Sequence, residues 1–265
     1  MTERRLAAEI KAHGRFGSSA ITDAGAVRDH NEDSYISCPD IGLWAVADGV
    51  GGHQAGDVAA RMATEALRNM PAGLNATQLL AEVRLRLDAV HRRLHAEAAQ
   101  RGGVAVVATT IVVLLARGHH YACLWAGDSR VYLLRGGKIV QLTRDHSLVQ
   151  ELVDSRAITP AEAKNHPRAN VITRALGADN LALALDKVSA RLRSGDRFLL
   201  CTDGLWKVLA AHEMARLLTA EGNAAAELLL AAALERQPDD NVTAVTVEVD
   251  PAIASVPFHA SGEQQ

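Results

Sequence analysis

The sequence predicts an α+β fold, with antiparallel sheets and helices packed outside them. Three observations point there. Helical and strand-like patterns come in blocks and do not alternate strictly. Short apolar runs are set off by Gly and Asp, as strands bounded by turns are. Leu80, Val83, Leu87, Val90 and Leu94 recur at intervals of three and four, which is one face of a helix.

The first fifteen or so residues read as a short helical or frayed lead-in. Ser19 to Thr22 and Ser34 to Ser37 read as short strands, and Leu43 to Ala47 as an apolar strand closed by Asp48-Gly49-Val50-Gly51-Gly52. A helix starts near Ala55 and runs to about Met70, before Pro71. The Leu80–Leu94 helix follows, and Gly102-Gly103 ends it as a C-cap does. Thr109 to Ala116, His120 to Ala126, Arg130 to Arg135 and Ile139 to Leu142 read as an antiparallel meander. Gly118, Gly127-Asp128 and Gly136-Gly137 supply its turns.

Apolar periodicity weakens from Asp145 to about Gly177, which marks a surface insertion. Thr159-Pro160-Ala161-Glu162 has the form of a capping box with proline at the first helical position. Leu181 to Val188 and Arg197 to Thr202 return to strands. Glu213 to Leu218 and Ala224 to Leu234 are helical, and Val242 to Val249 is a last alternating strand. No linker divides residues 1–250, so they form a single domain, and 251–265 is a loose tail.

Composition narrows the function classes. The 265 residues are 48% hydrophobic and 22% charged, enough for a core without staples. A net charge of -3 and only 3% aromatic residues argue against nucleic acid as a partner. Cys38, Cys123 and Cys201 are odd in number, and two lie in apolar runs, so no disulfide framework is expected. Met1-Thr2-Glu3-Arg4-Arg5 lacks the apolar stretch of a signal peptide, and no window is long enough to span a bilayer. A cytoplasmic, soluble protein is the expectation.

Four aspartates stand at the ends of apolar runs: Asp48, Asp128 and Asp203 where runs stop, and Asp240 just before the run from Val242. Each taken alone also reads as a turn or a solvated loop. Asn31-Glu32-Asp33 precedes a further strand. If the runs are strands of packed sheets, these carboxylates can meet at one rim. At roughly 4 Å and an effective dielectric near 20, each like-charge pair costs about 4 kcal/mol. Protons or cations must then occupy the cluster, and oxygen-only ligands favour magnesium, manganese or calcium. Arg28, just upstream, reads either as a surface ion-pair partner or as a bidentate phosphate clamp. Metals plus an arginine suit phosphate-ester hydrolysis, where two ions can lower the pKa of water and hold phosphoryl oxygens.

Other candidates carry less. His91 and His95 are one turn apart, but Arg92 and Arg93 lie between them, so a solvated face is expected. Gly49-Val50-Gly51-Gly52 lacks the Gly-Lys-Ser/Thr of a nucleotide loop. Cys123 and Cys201 sit in apolar runs that raise a thiol's pKa and disfavour a nucleophile.

The motifs resemble, in order, those of the metal-dependent serine/threonine protein phosphatases of the 2C type, in their compact bacterial branch. They are Arg28-Asp29-His30-Asn31-Glu32-Asp33, Val46-Ala47-Asp48-Gly49-Val50-Gly51-Gly52-His53, Thr109-Thr110, Ala126-Gly127-Asp128-Ser129-Arg130, Cys201-Thr202-Asp203-Gly204-Leu205-Trp206 and Asp239-Asp240-Asn241-Val242-Thr243. The resemblance runs from about Ser18 to Val249.

It implies a four-layer α-β-β-α sandwich, with two central antiparallel sheets flanked by helices. It implies two manganese or magnesium ions bridged by Asp48, one of them also taking the Gly49 carbonyl. Asp203 and Asp240 complete the first ion's shell, and Asp33 acts through a bound water. Asp128 with Asp203 matches a third-ion site. Arg28 grips the phosphate, Glu32 orients nearby groups, and Asn241 is a supporting residue. Residues 145–177 match the family's flap, to which Arg174 belongs. Val50 stands where many eukaryotic members carry a histidine, and His53 is not given its role. Ala108 replaces a usual glycine. The implied reaction is hydrolysis of phosphoserine and phosphothreonine by direct attack of a metal-activated water. The implied partners are phosphorylated proteins and a cognate kinase, met by a monomer without a membrane. A catalytically silent docking module is the alternative, and a small-ester phosphatase lies between the two.

Overall fold

The structure is a computed structural model that describes residues 9–13, 15–51, 55–100, 106–178, 182–220 and 224–250. Chain order begins with β1 (Glu9–His13), β2 (Phe16–Asp23), β3 (Asp33–Cys38) and β4 (Leu43–Val50). Helices α1 (Ala55–Arg68) and α2 (Ala76–Gln100) follow. Next come β5 (Ala108–Thr109), β6 (Ile111–Arg117), β7 (His120–Ala126), β8 (Arg130–Arg135) and β9 (Lys138–Gln141). The insertion carries α3 (Leu148–Asp154) and α4 (Pro160–Lys164). The chain then forms β10 (Asp186–Arg191), β11 (Arg197–Cys201), α5 (Asp203–Trp206), α6 (Ala211–Leu218), α7 (Ala225–Leu234) and β12 (Val242–Val249).

One sheet has the order β1-β2-β12-β11-β8-β9, and the other β10-β7-β6-β4-β3, with β5 paired to β4. Every pairing is antiparallel. Side chains along a strand alternate between faces, so one strand serves two cores. On β4, Trp44 and Val46 point between the sheets and meet Val245, Val247, Phe198 and Leu200. Leu43, Ala45 and Ala47 point the other way, into a core with α1 and α2. On β11, Phe198 and Leu200 face the intersheet core, while Leu199 and Cys201 face α5, α6 and α7. Four layers result, α-β-β-α, as the resemblance implies.

The helices follow from their sequences. Ala59, Ala60 and Ala63 on α1 are fully buried and let the helix lie close to β3 and β4. Leu79, Val83, Leu87, Val90 and Leu94 make the buried stripe of α2. Asn75 and Gln78 cap its start reciprocally, each side chain accepting from the other's backbone N–H at 2.9 and 3.0 Å. The expected Thr159–Glu162 capping box is present at the start of α4.

Several expectations are corrected. Glu9–His13 is a strand paired with β2, not a helical lead-in. The segment from Thr109 to Leu142 is not one meander. β6 and β7 belong to one sheet, β8 and β9 to the other. The chain changes sheets at Gly127-Asp128-Ser129, where Gly127 has φ +113° and a Cβ would sit 2.6 Å from the Thr110 side chain. The strand expected at 181–188 forms at Asp186–Arg191. His91 is buried at 1% exposure, not solvated. Its Nδ1 accepts from the Gly177 N–H at 3.0 Å, so it ties α2 to the end of the insertion. Gly102-Gly103, His53 and the tail 251–265 lie outside the described residues.

Candidate metal centre

Strands from both sheets end at one rim. β3 begins with Asp33 and is paired with the end of β4, which places Asp33 opposite Asp48. From the other sheet, β11 runs into Asp203, the first residue of α5, and Asp240 stands just before β12. Asp128 occupies the crossover between the sheets. Neither Asp48 nor Asp203 is a loop turn: one lies in a strand and the other opens a helix.

Hydroxyls fix these carboxylates. Thr243 and Thr202 both donate to Asp33 Oδ2, at 2.6 and 2.9 Å, so a side chain of one sheet is clamped by the other. Asn31 donates to Thr22 at 2.8 Å, and Thr22 lies 2.7 Å from Thr243. The Thr109-Thr110 pair brackets Asp48: Thr110 Oγ1 accepts the Asp48 N–H at 3.0 Å, and Thr109 Oγ1 donates to the Asp48 carbonyl at 2.9 Å. Trp206 Nε1 donates to the Asp128 carbonyl at 2.9 Å. The Arg130 guanidinium covers the Trp206 ring at 3.4 Å and grips Asp145 at 2.6 and 2.9 Å.

The electrostatics record the convergence. Burial, and then Asp33, Asp203, Asp128 and Asp240, push the Asp48 carboxyl well above its ordinary value. Burial raises Asp33 to about 7 against the hydrogen bonds from Thr243 and Thr202, and Asp203 and Asp240 add to the rise. Asp128 is also pushed to about 7, by burial and then by Asp203 and Asp145. Asp203 is raised by burial, with Lys207 pulling it back. Glu32 is raised by burial and by Asp57.

The remaining expected residues fall around this cluster. Arg28 Nη2 donates to Asp240 Oδ2 at 2.8 Å, with the arginine side chain 53% exposed. Asn241 Oδ1 accepts the Glu32 N–H at 2.8 Å, and its Nδ2 donates to the Ala24 and His30 carbonyls at 2.9 Å. It therefore ties the loop carrying Arg28 to the segment carrying Asp240, just before β12. Gly49 backs so tightly on α1 that a Cβ would lie 2.3 Å from the Gly56 carbonyl. Arg174 instead bonds Asp186 at 2.8 Å, beside His146. Sequence reasoning missed Lys207, whose Nζ donates to Asp203 Oδ2 at 2.5 Å. The signal was its spacing, four residues after Asp203 on a helical turn.

Divalent ions fit these residues. Asp33 Oδ1, Asp128 Oδ1 and Asp203 Oδ1 are buried and accept no hydrogen bond. Buried acceptors are otherwise almost always satisfied. The donors are all oxygens, as a hard cation prefers. Among the described residues no three such side chains form a ready-made cage, and Asp33, Asp203 and Asp240 each turn one oxygen to Thr243, Lys207 or Arg28.

Residues 19–234 match the family described as Protein phosphatase 2C. The serine/threonine protein phosphatase PstP of Mycobacterium tuberculosis is 36% identical over 232 residues, covering 87% of this chain and 44% of PstP. The chain thus spans less than half the length of that relative. The serine/threonine phosphatase stp of Listeria monocytogenes is 33% identical over 238 residues, covering 86% of this chain and 94% of its own. The solved catalytic domain of PstP in complex with two manganese ions superposes with a TM-score of 0.75 at 34% identity, covering 89% of this chain and 99% of that one. The match over most of the length, with the same two-sheet architecture, means that this chain belongs to the protein phosphatase 2C family.

Proposed function

We propose that this chain is a metal-dependent phosphatase that hydrolyses phosphoserine and phosphothreonine on proteins. One observation supports the reading above all: carboxylates from both sheets meet at one rim, where burial and then their mutual repulsion push Asp33, Asp48, Asp128 and Asp203 above their ordinary pKa. Asp48, the Gly49 carbonyl, Asp33, Asp203 and Asp240 would hold two manganese or magnesium ions. Such ions, when bound, supply positive charge to phosphoryl oxygens and lower the pKa of water.

The protein's own groups do the rest. Arg28 lies on the open side of the rim, where its planar fork can take two oxygens of a phosphate dianion. It must release Asp240 Oδ2 to do so. Thr202 and Thr243 hold one oxygen of Asp33, which leaves the other for an ion. Asn241 keeps the Arg28 loop in register with Asp240. Cys123 and Cys201 are buried and burial pushes both thiols up, which disfavours a cysteine-bound intermediate.

A serine/threonine kinase that adds these phosphates is the natural opposing partner, and the chain acts as a cytoplasmic monomer. Among the described residues no helix is long and apolar enough to cross a membrane. A silent docking module would tolerate loss of the carboxylates, yet Asp48, Asp203 and Asp240 are all present. Asp203→Asn tests the proposal. Manganese-dependent turnover of a phosphothreonine peptide should fall by about a hundredfold or more while the far-ultraviolet circular dichroism stays unchanged. Undiminished turnover overturns the assignment.

A further inference from the structure

Lys207 brings a positive charge into the acidic corner between Asp203 and Asp128. It is the residue after α5, one helical turn beyond Asp203. Its Nζ donates to Asp203 Oδ2 at 2.5 Å and to Asn170 Oδ1 at 2.8 Å. The charges of Asp128 and Asp239 also favour the same ammonium. The lysine side chain is 25% exposed and that of Asp203 12%, so the pair is largely sheltered from solvent. Screening by salt is weak for such a pair.

We infer, on the two-ion reading of the site, that the Lys207 ammonium is the resident cation of this corner and takes the place of a third divalent ion. An ion ligated by both Asp128 and Asp203 would lie beside an ammonium that is tethered and cannot diffuse away. The two cations repel each other. Asp203 also has only two oxygens to give. Oδ2 is committed to Lys207, and Oδ1 alone is left for an ion of the main pair. The same ammonium reaches Asn170 within the 145–177 insertion. A fixed cation therefore joins the insertion to the acidic rim, a task that a dissociable ion would perform only when bound. Arg174 and His146 make a separate connection, through Asp186 on β10.

The test is metal stoichiometry, read without turnover. Protein stripped with a chelator is dialysed to equilibrium against saturating manganese, and bound metal is measured by atomic emission. The wild-type chain should take up two ions. Lys207→Asp replaces the ammonium with a third carboxylate beside Asp128 and Asp203, and it should take up one ion more. Thermal melts establish that the variant is folded. If it is not, the wild-type count decides alone. Three ions on the wild-type chain, or an unchanged count in folded Lys207→Asp, overturns the inference and leaves the phosphatase reading standing. Fewer than two ions on the wild-type chain overturns the two-ion reading itself.

Discussion

Asp33 and Asp48 stand directly opposite each other across the β3–β4 ladder. Like charges in that relation destabilise a sheet. Here the strain is compounded, because Asp203 and Asp240 arrive from the second sheet and Asp128 from the crossover. Fixed hydroxyls hold Asp33 in place, so it cannot turn away to water. A rim built this way gathers unfavourable charge that a bound divalent cation would relieve.

The first prediction concerns pH. Asp33 and Asp128 rise from 3.8 to about 7 in the folded protein without metal. A raised carboxyl binds its proton more tightly folded than unfolded. Its contribution to stability is therefore complete below about pH 4 and is lost as pH rises through about 7. Chelator-treated protein should melt at a lower temperature at pH 8 than at pH 6. Manganese should raise Tm more at pH 8, where the carboxylates are already ionised. Differential scanning calorimetry at both values decides it, and equal metal-induced shifts would count against the cluster.

A second prediction isolates the clamp on Asp33. Thr243→Val keeps the shape and removes the hydroxyl that donates to Asp33 Oδ2 at 2.6 Å. Loss of a hydrogen bond to a charged group costs about 1.5–3 kcal/mol. Urea unfolding with bound manganese should show a loss of that order. Apparent manganese affinity should fall by about ten- to a hundredfold, as it does when groups orienting metal ligands are removed. Unchanged affinity would mean that Asp33 needs no positioning.

The third prediction separates substrate binding from stability. Arg28 is exposed, and its pairing with Asp240 is worth little to the fold. Arg28→Ala should leave Tm nearly unchanged and lower kcat/KM for a phosphopeptide by about ten- to a hundredfold. Steady-state kinetics with Arg28→Lys beside it tests the fork itself. Full activity in the lysine variant would show that a point charge suffices.

Much of this arrangement was legible in the chain. The aspartates are visible because each stands at the edge of an apolar run, Asp48, Asp128 and Asp203 after one and Asp240 before one, and strand ends are local features. The residues alone gave antiparallel sheets with helices outside, and the four layers came from the resemblance; Leu43 to Ala47, buried at every position, fits a strand covered on both faces. Other features depend on distant partners. A hairpin turn and a crossover between sheets share the same local signal at Gly127-Asp128-Ser129, and only the pairing of β8 with β11 distinguishes them. His91 looked solvated because two arginines follow it, yet its partner is Gly177, in another part of the chain. β1 alternates polar and apolar residues over only five positions, too short a run to stand out, and its register is set against β2. Lys207 was hidden in plain spacing, since a lysine one turn after an aspartate is an ordinary surface pair until burial shows otherwise.

Calorimetric titration of manganese into metal-free protein probes the shared rim most directly. Saturable uptake by the wild-type chain, lost in Asp48→Asn with the fold intact, is the predicted result. No uptake by the wild type, or equal uptake by Asp48→Asn, contradicts it.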